Sequence, residues 1–130
     1  VEAASYCKSV GKRLPTENEW EWAARGGQEA RKYPWGQEEP ALQLCWSGAS
    51  RLGGTCPVGT YREGASRDGV LDLAGNVWEW TASRVAEGKA VRIIRGGSWS
   101  EVTAAATSAR RAAPQETSDF AIGFRCARSR

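Results

Sequence analysis

The hydrophobic positions of the first ten residues, Ala3, Ala4, Cys7 and Val10, recur at helical spacing and stop at Gly11. Glycine readily takes the left-handed conformation that closes a helix, so the pattern predicts a first helix over Val1–Val10. After a loop at Leu14-Pro15, the run Thr16-Glu17-Asn18-Glu19 reads as a capping box, in which hydroxyl and carboxylate each accept a free N–H. A second helix is predicted from there to about Arg25, broken by Gly26-Gly27, with Trp20, Ala23 and Ala24 on its buried face. Glu17, Glu19 and Glu21 lie at its start, where carboxylates complement the helix dipole rather than form an acid/base pair. From Gln28 to Ser66 the periodicity is lost among glycines and prolines, and only short strands fit. Asp68–Thr81 reads as an acidic turn followed by a strand. Arg92–Arg95 alternates as another strand until Gly96-Gly97 breaks it. Ser98–Arg130 reads as loop, with a last strand at about Ala121–Ala127.

At 130 residues the chain is expected to be one domain with a single core. Its 18 basic and 15 acidic residues leave a net charge of +3, scattered along the chain, which is no nucleic-acid footprint. No apolar run approaches a membrane span, so neither nucleic acid nor membrane is expected as a partner. The absence of histidine excludes Ser-His-Asp and Cys-His nucleophile pairs and every His-ligated metal site. Most of the seven tryptophans are expected in the core, where large aromatics supply burial that little regular structure provides. Cys7, Cys45, Cys56 and Cys126 include no C-x-x-C, which argues against a zinc knuckle, and their three possible pairings stay open. The chain opens at Val1-Glu2-Ala3-Ala4, already inside a predicted helix, and is expected to be a trimmed piece of a longer one.

The richest stretch is Gly69–Thr81, GVLDLAGNVWEWT, echoed by RGGSW at Arg95–Trp99. Asp72 and Glu79 flank Ala74-Gly75-Asn76, a turn signal in which Gly and Asn accept positive φ. Two carboxylates and several carbonyls around a turn suit a hard cation such as calcium. The same spacing also suits a buried Trp pair with a solvated Glu between.

This stretch resembles the signature of the sulfatase-modifying-factor family, which includes the formylglycine-generating enzymes. GKRLPTENEWEWAARGG (Gly11–Gly27), YPWG (Tyr33–Gly36), PVGTY (Pro57–Tyr61), RIIRGGSW (Arg92–Trp99) and GFRC (Gly123–Cys126) are similar to further family blocks, in the family's order. The resemblance implies an α+β domain of C-type-lectin-like fold, with a small twisted sheet, two N-terminal helices and much irregular loop. It also implies that residues 1–130 correspond to the C-terminal part of a family domain.

Several site expectations follow from the resemblance. It implies a Cys7–Cys126 disulfide, leaving Cys45–Cys56 to close a short Gly-rich loop, and such bridges suit an extracellular or periplasmic compartment. A second family bridge has no equivalent, because its positions carry Ala24 and Arg111. By position, the family's calcium ligands become the side chains of Asp72 and Glu79 and the carbonyls of Gly75 and Val77. A second calcium site, around Gln43–Trp46, lacks its Asn and is not expected. The oxidase cysteines that would hold copper fall on Glu101 and Ala106. A carboxylate and a methyl group bind no Cu(I), so neither copper nor formylglycine chemistry is expected.

What remains is a binding module whose ligand surface lies in the segment 100–119 and is expected to involve Trp99, Ser100, Glu101, Thr103, Arg110 and Arg111. A protein or glycan is the expected ligand, and the two arginines suit a carboxylate or phosphate. Ala104–Ala106 suits a helical turn equally well. A sharper alternative is a variable protein of a diversity-generating retroelement, a class that uses this fold and varies this region; the lack of Asn and Tyr there speaks mildly against it. A divergent enzyme using Glu101 or Asp119 is the remaining alternative, without a paired-carboxylate spacing to support it.

Overall fold

A computed structural model of the protein describes residues 2–48, 53–101 and 107–129. Helix α1 spans Glu2–Ser9 and α2 spans Glu17–Ala24. Strands β1 (Trp78–Arg84), β2 (Val91–Arg95), β3 (Arg110–Pro114) and β4 (Ile122–Phe124) form one sheet in the order β3-β2-β1-β4. The pairs β1–β2 and β2–β3 are antiparallel and β1–β4 is parallel. Between α2 and β1 the described residues are irregular apart from single helical turns at Gly27–Glu29 and Arg62–Gly64.

Both helices form for the reasons their sequences give. Thr16 caps α2: its hydroxyl accepts from the Glu19 N–H at 3.2 Å, and the Glu19 carboxylate accepts from the Thr16 N–H at 2.9 Å. Arg13 then grips the same carboxylate with both guanidinium nitrogens, at 2.7 and 2.8 Å. In α1, Gly11 takes φ 69° and ends the helix. Its apolar stripe is thinner than expected, since Cys7 is buried but Val10 is 47% exposed.

The sheet corrects the expectation of loop from Ser98 up to a last strand at about Ala121, because β3 lies between them. Strand β3, RRAAP, has no alternation that marks a half-buried strand; it is an edge strand whose ladder to β2 forms it, and it ends at a proline that lacks a donor. The final strand is shorter than expected, and Ala127 instead makes an isolated bridge to Arg13.

One sheet face packs on α2 through Trp20, while Trp78, Ile94 and Ala113 share the other with the partly buried Trp80 and Ile122. A third small cluster, Tyr33, Leu44 and Ala74, underpins the irregular region. Of the seven tryptophans only Trp20 and Trp78 are fully buried; Trp35, Trp46 and Trp80 pack partly buried against the core clusters and Trp22 is 51% exposed, so the expectation that most are core holds only in this looser sense. Small clusters rather than one continuous core leave the outer indoles half covered. The disulfides are Cys7–Cys126 and Cys45–Cys56.

Candidate functional site

The acidic turn between Asp72 and β1 is built by backbone conformation first. Asp72, Gly75 and Asn76 all have positive φ, at 57°, 71° and 62°. At Gly75 no other residue fits, because a Cβ would stand 2.4 Å from the Cys45 carbonyl oxygen. The Asn76 side chain locks the turn to the short disulfide loop, accepting from the Cys56 N–H at 3.0 Å and donating to its carbonyl at 3.2 Å. Asp72 in turn accepts from the Gly59 N–H at 2.7 Å.

Glu79 is buried at the start of β1, and it is not a solvated residue between two tryptophans. One carboxylate oxygen accepts from the Trp20 indole N–H at 2.7 Å and from Arg125 Nε at 2.6 Å; the other accepts from Arg125 Nη2 at 2.6 Å. The same Arg125 nitrogen donates to the carbonyls of Leu71 and Asp72, at 2.9 and 3.1 Å. Burial opposes the charge on Arg125, but Glu79, with a smaller contribution from Asp72, outweighs it and raises the guanidinium's pKa above its ordinary value. Arg125 is the residue of this candidate site that spacing alone missed. It sits in the GFRC block, and the parallel β1–β4 register brings it beside Glu79.

Asp72, Asn76, Val77, Glu79 and Arg125 line one cavity of about 250 Å3. Two carboxylates against one guanidinium leave this cavity with one net negative charge. Its hard oxygens fit a calcium ion in kind, with the condition that Glu79 is shared with Arg125.

The segment after β2 forms a second constellation. The Trp99 N–H donates to the Asn76 carbonyl at 2.8 Å, and the Ser47 hydroxyl donates to the Trp99 carbonyl at 2.6 Å, so this loop hangs from the acidic turn. Trp99 leans on Phe120, which is 78% exposed, with ring centroids 6.0 Å apart; the Trp99 indole N–H is buried without a partner among the described residues. The hydroxyls of Ser98 and Ser100 lie 3.1 Å apart. Glu101 turns back onto the sheet, where one carboxylate oxygen takes the Trp78 indole N–H at 2.7 Å and Arg111 Nη1 at 2.9 Å. The Arg111 guanidinium lies 4.7 Å above the Trp78 ring.

The expected ligand surface is therefore only partly assembled. Glu101 and Arg111 meet, and Trp99 and Ser100 lie on the same loop. Arg110 does not join them. Adjacent strand residues point to opposite faces, and Arg110 pairs with Glu17 of α2 at 2.7 Å. No clamp of two adjacent arginines exists. Thr103, Ala106 and the Ala104–Ala106 turn lie outside the described residues. Beyond the loop, Arg95 is buried under α2 against Glu21, Glu17 and the carbonyl of Thr107, which fixes the far end of the segment.

The sulfatase-modifying factor enzyme 1-like domain family matches residues 1–130. The chain is 41% identical over 144 residues to the inactive C-alpha-formylglycine-generating enzyme 2 of Bos taurus, covering 97% of this chain and 47% of that protein. It is 36% identical over 157 residues to the formylglycine-generating enzyme of Streptomyces coelicolor, covering 97% of this chain and 49% of that protein. Among solved structures, Treponema denticola variable protein 1 superposes with a TM-score of 0.74 at 28% identity, covering 87% of this chain and 46% of the other. The chain spans about half the length of the relatives it matches. Matched along its whole length and folded as these proteins fold, the chain belongs to the sulfatase-modifying factor enzyme 1-like domain family, on a C-type-lectin-like scaffold of the formylglycine-generating-enzyme type.

Proposed function

We propose that this chain is a non-catalytic binding module on the family scaffold, with its ligand surface along the Trp99–Glu101 loop, Arg111 and Phe120. One observation carries the reading. Where the resemblance puts an oxidase cysteine, Glu101 is tied down by Trp78 and Arg111, and all four cysteines of the chain are spent in disulfides. Without a thiolate there is neither a soft ligand for copper nor a nucleophile for a substrate sulfur. Similarity to a relative described as inactive supports the same reading.

The ligand class is protein or glycan, and the two disulfides suit an extracellular or periplasmic setting. No helix among the described residues is long and apolar enough to cross a membrane. Calcium belongs to the reading as a structural ion, held by the side chains of Asp72 and Glu79 with the carbonyls of Gly75 and Val77. Bound there it would stiffen the turn from which the Trp99 loop hangs.

The test has two arms. A Cys-x-Pro-x-Arg peptide incubated with the protein, copper and oxygen is followed by mass spectrometry, and no aldehyde is expected; turnover would overturn the reading. Immobilised protein and glycan panels are then probed with wild type and with Phe120→Ala, which is expected to lose at least tenfold in affinity for whatever the wild type retains. Unchanged binding by the variant would remove the surface.

A second reading, a variable protein of a diversity-generating retroelement, is favoured by the likeness to the Treponema variable protein. A near-identical template repeat beside the coding sequence decides between a fixed and a diversified 100–119 segment.

A further inference from the structure

We propose that Trp78 and Arg111 form a carboxylate receptor on the outer sheet face, and that Glu101 is its tethered occupant. The inference rests on reading this surface as the binding face, and it assigns the chemistry of the bound group. Two donors of different origin converge on a single oxygen: the indole N–H of Trp78 at 2.7 Å and the Arg111 guanidinium at 2.9 Å. The guanidinium also lies over the Trp78 ring, 4.7 Å from its centroid, so the ring face holds the cation beside the indole N–H.

The Trp78 side chain and the Arg111 backbone are placed without help from Glu101. Trp78 is 4% exposed, packed against Ile94 and Ala113, and its backbone is paired with β4. Arg111 is opposite Ile94 in the β2–β3 ladder. The occupant is the less constrained part, since Glu101 belongs to a loop. Solvent reaches it: the Arg111 side chain is 58% exposed and that of Glu101 is 21% exposed. A free carboxylate, such as an acidic side chain, a chain terminus or an acidic sugar, presents the same acceptor that Glu101 now supplies. It has to outcompete a group whose short tether gives an effective concentration on the order of millimolar or above. Glu101 thus sets the threshold for carboxylate ligands, and swinging it outward exposes the receptor.

The probe is acetate, with chloride at equal ionic strength as control. Removal of the tethered group in Glu101→Ala empties the receptor, and acetate is then expected to raise Tm by about 5 °C at ten times its dissociation constant. One indole N–H resonance, assigned by its loss in Trp78→Phe, is expected to shift along the same saturable curve. Wild type, still occupied, and Glu101→Ala/Arg111→Ala, lacking the cation, are expected to answer acetate no more than chloride. Equal responses of Glu101→Ala to the two anions would overturn the receptor, and so would an undiminished acetate response in the double variant. Should Glu101→Ala fail to fold, Glu101→Ser empties the same receptor with a polar loop residue and is read by the same criteria. Acetate probes the receptor directly, so its failure leaves the wider surface to be judged by Phe120→Ala on the panels.

Discussion

Glu79 serves the fold whether or not a cation is present, and that changes how the calcium site must be tested. Its side chain, 7% exposed, answers the charge of Arg125 and the indole N–H of Trp20. Glu79→Ala is expected to cost about 3 kcal/mol in chelator already, because it leaves the partly buried Arg125 guanidinium without its carboxylate, so a loss measured in calcium alone does not separate the ion pair from the metal. Asp72→Asn is the discriminating change. Asparagine keeps an acceptor for the Gly59 N–H and tolerates the left-handed backbone at φ 57°, so in chelator it is expected within about 0.5 kcal/mol of wild type. In calcium it is expected to lose most of the upward shift in Tm that wild type gains. An equal calcium shift in both proteins would remove Asp72 from the site. The spacing of Asp72, Gly75 and Glu79 was legible along the chain because the turn is local. Arg125 was not legible: it lies 46 residues from Glu79, and only the β1–β4 pairing joins them. Glu101 is the converse case, where the chain revealed the missing thiol but not the indole and guanidinium that hold its replacement.

At the scale of elements, α2 carries the clearest sequence signal and the clearest dependence on pH. The Arg13 guanidinium, followed by the Thr16 N–H, holds the Glu19 carboxyl down from its ordinary 4.5 to about 2. A depressed carboxylate contributes stability that is fully present above the unfolded pKa of about 4.5 and is lost as pH falls through the folded value near 2. In Glu19→Gln that part of the acid transition is expected to vanish, so wild type and variant converge in stability between pH 4.5 and 2. The carboxylate is 47% exposed, and solvent screening keeps the contribution small. Urea midpoints at pH 7, 4 and 2.5 check this; a gap that stays constant would assign the low pKa no part in folding. The helix was legible because its cap and its apolar face are written in adjacent residues. Strand β3 was not, since Arg110 to Pro114 carry no alternation and owe their conformation to β2. Its position matters, because it presents Arg111 to Trp78 on one face and Arg110 to Glu17 on the other.

Across the whole molecule, most of the buried apolar side chains among the described residues gather in three small clusters, and the long segment between α2 and β1 contributes to them only in part. A domain with so divided a core leans on covalent cross-links, and the two here differ tenfold in the chain they close. Cys7–Cys126 spans 119 residues and ties α1 to the end of the sheet; Cys45–Cys56 spans 11. If the bridges act by restricting the unfolded chain, removing them as Cys→Ser pairs is expected to cost about 5 kcal/mol for the long loop and about 3 kcal/mol for the short one. Urea unfolding of Cys7→Ser/Cys126→Ser and Cys45→Ser/Cys56→Ser at equal pH and calcium measures the order. The short bridge has a native-state role as well, because Cys56 is where Asn76 anchors the acidic turn, and Cys45 lies against Gly75. Loss of that bridge therefore acts on the turn that carries Asp72 and the Trp99 loop, whereas loss of the long bridge frees α1 and the chain next to Arg125. A larger stability loss from the short bridge would mean that the loop matters through these contacts rather than through chain entropy. In that case the same variant should also lose its response to calcium.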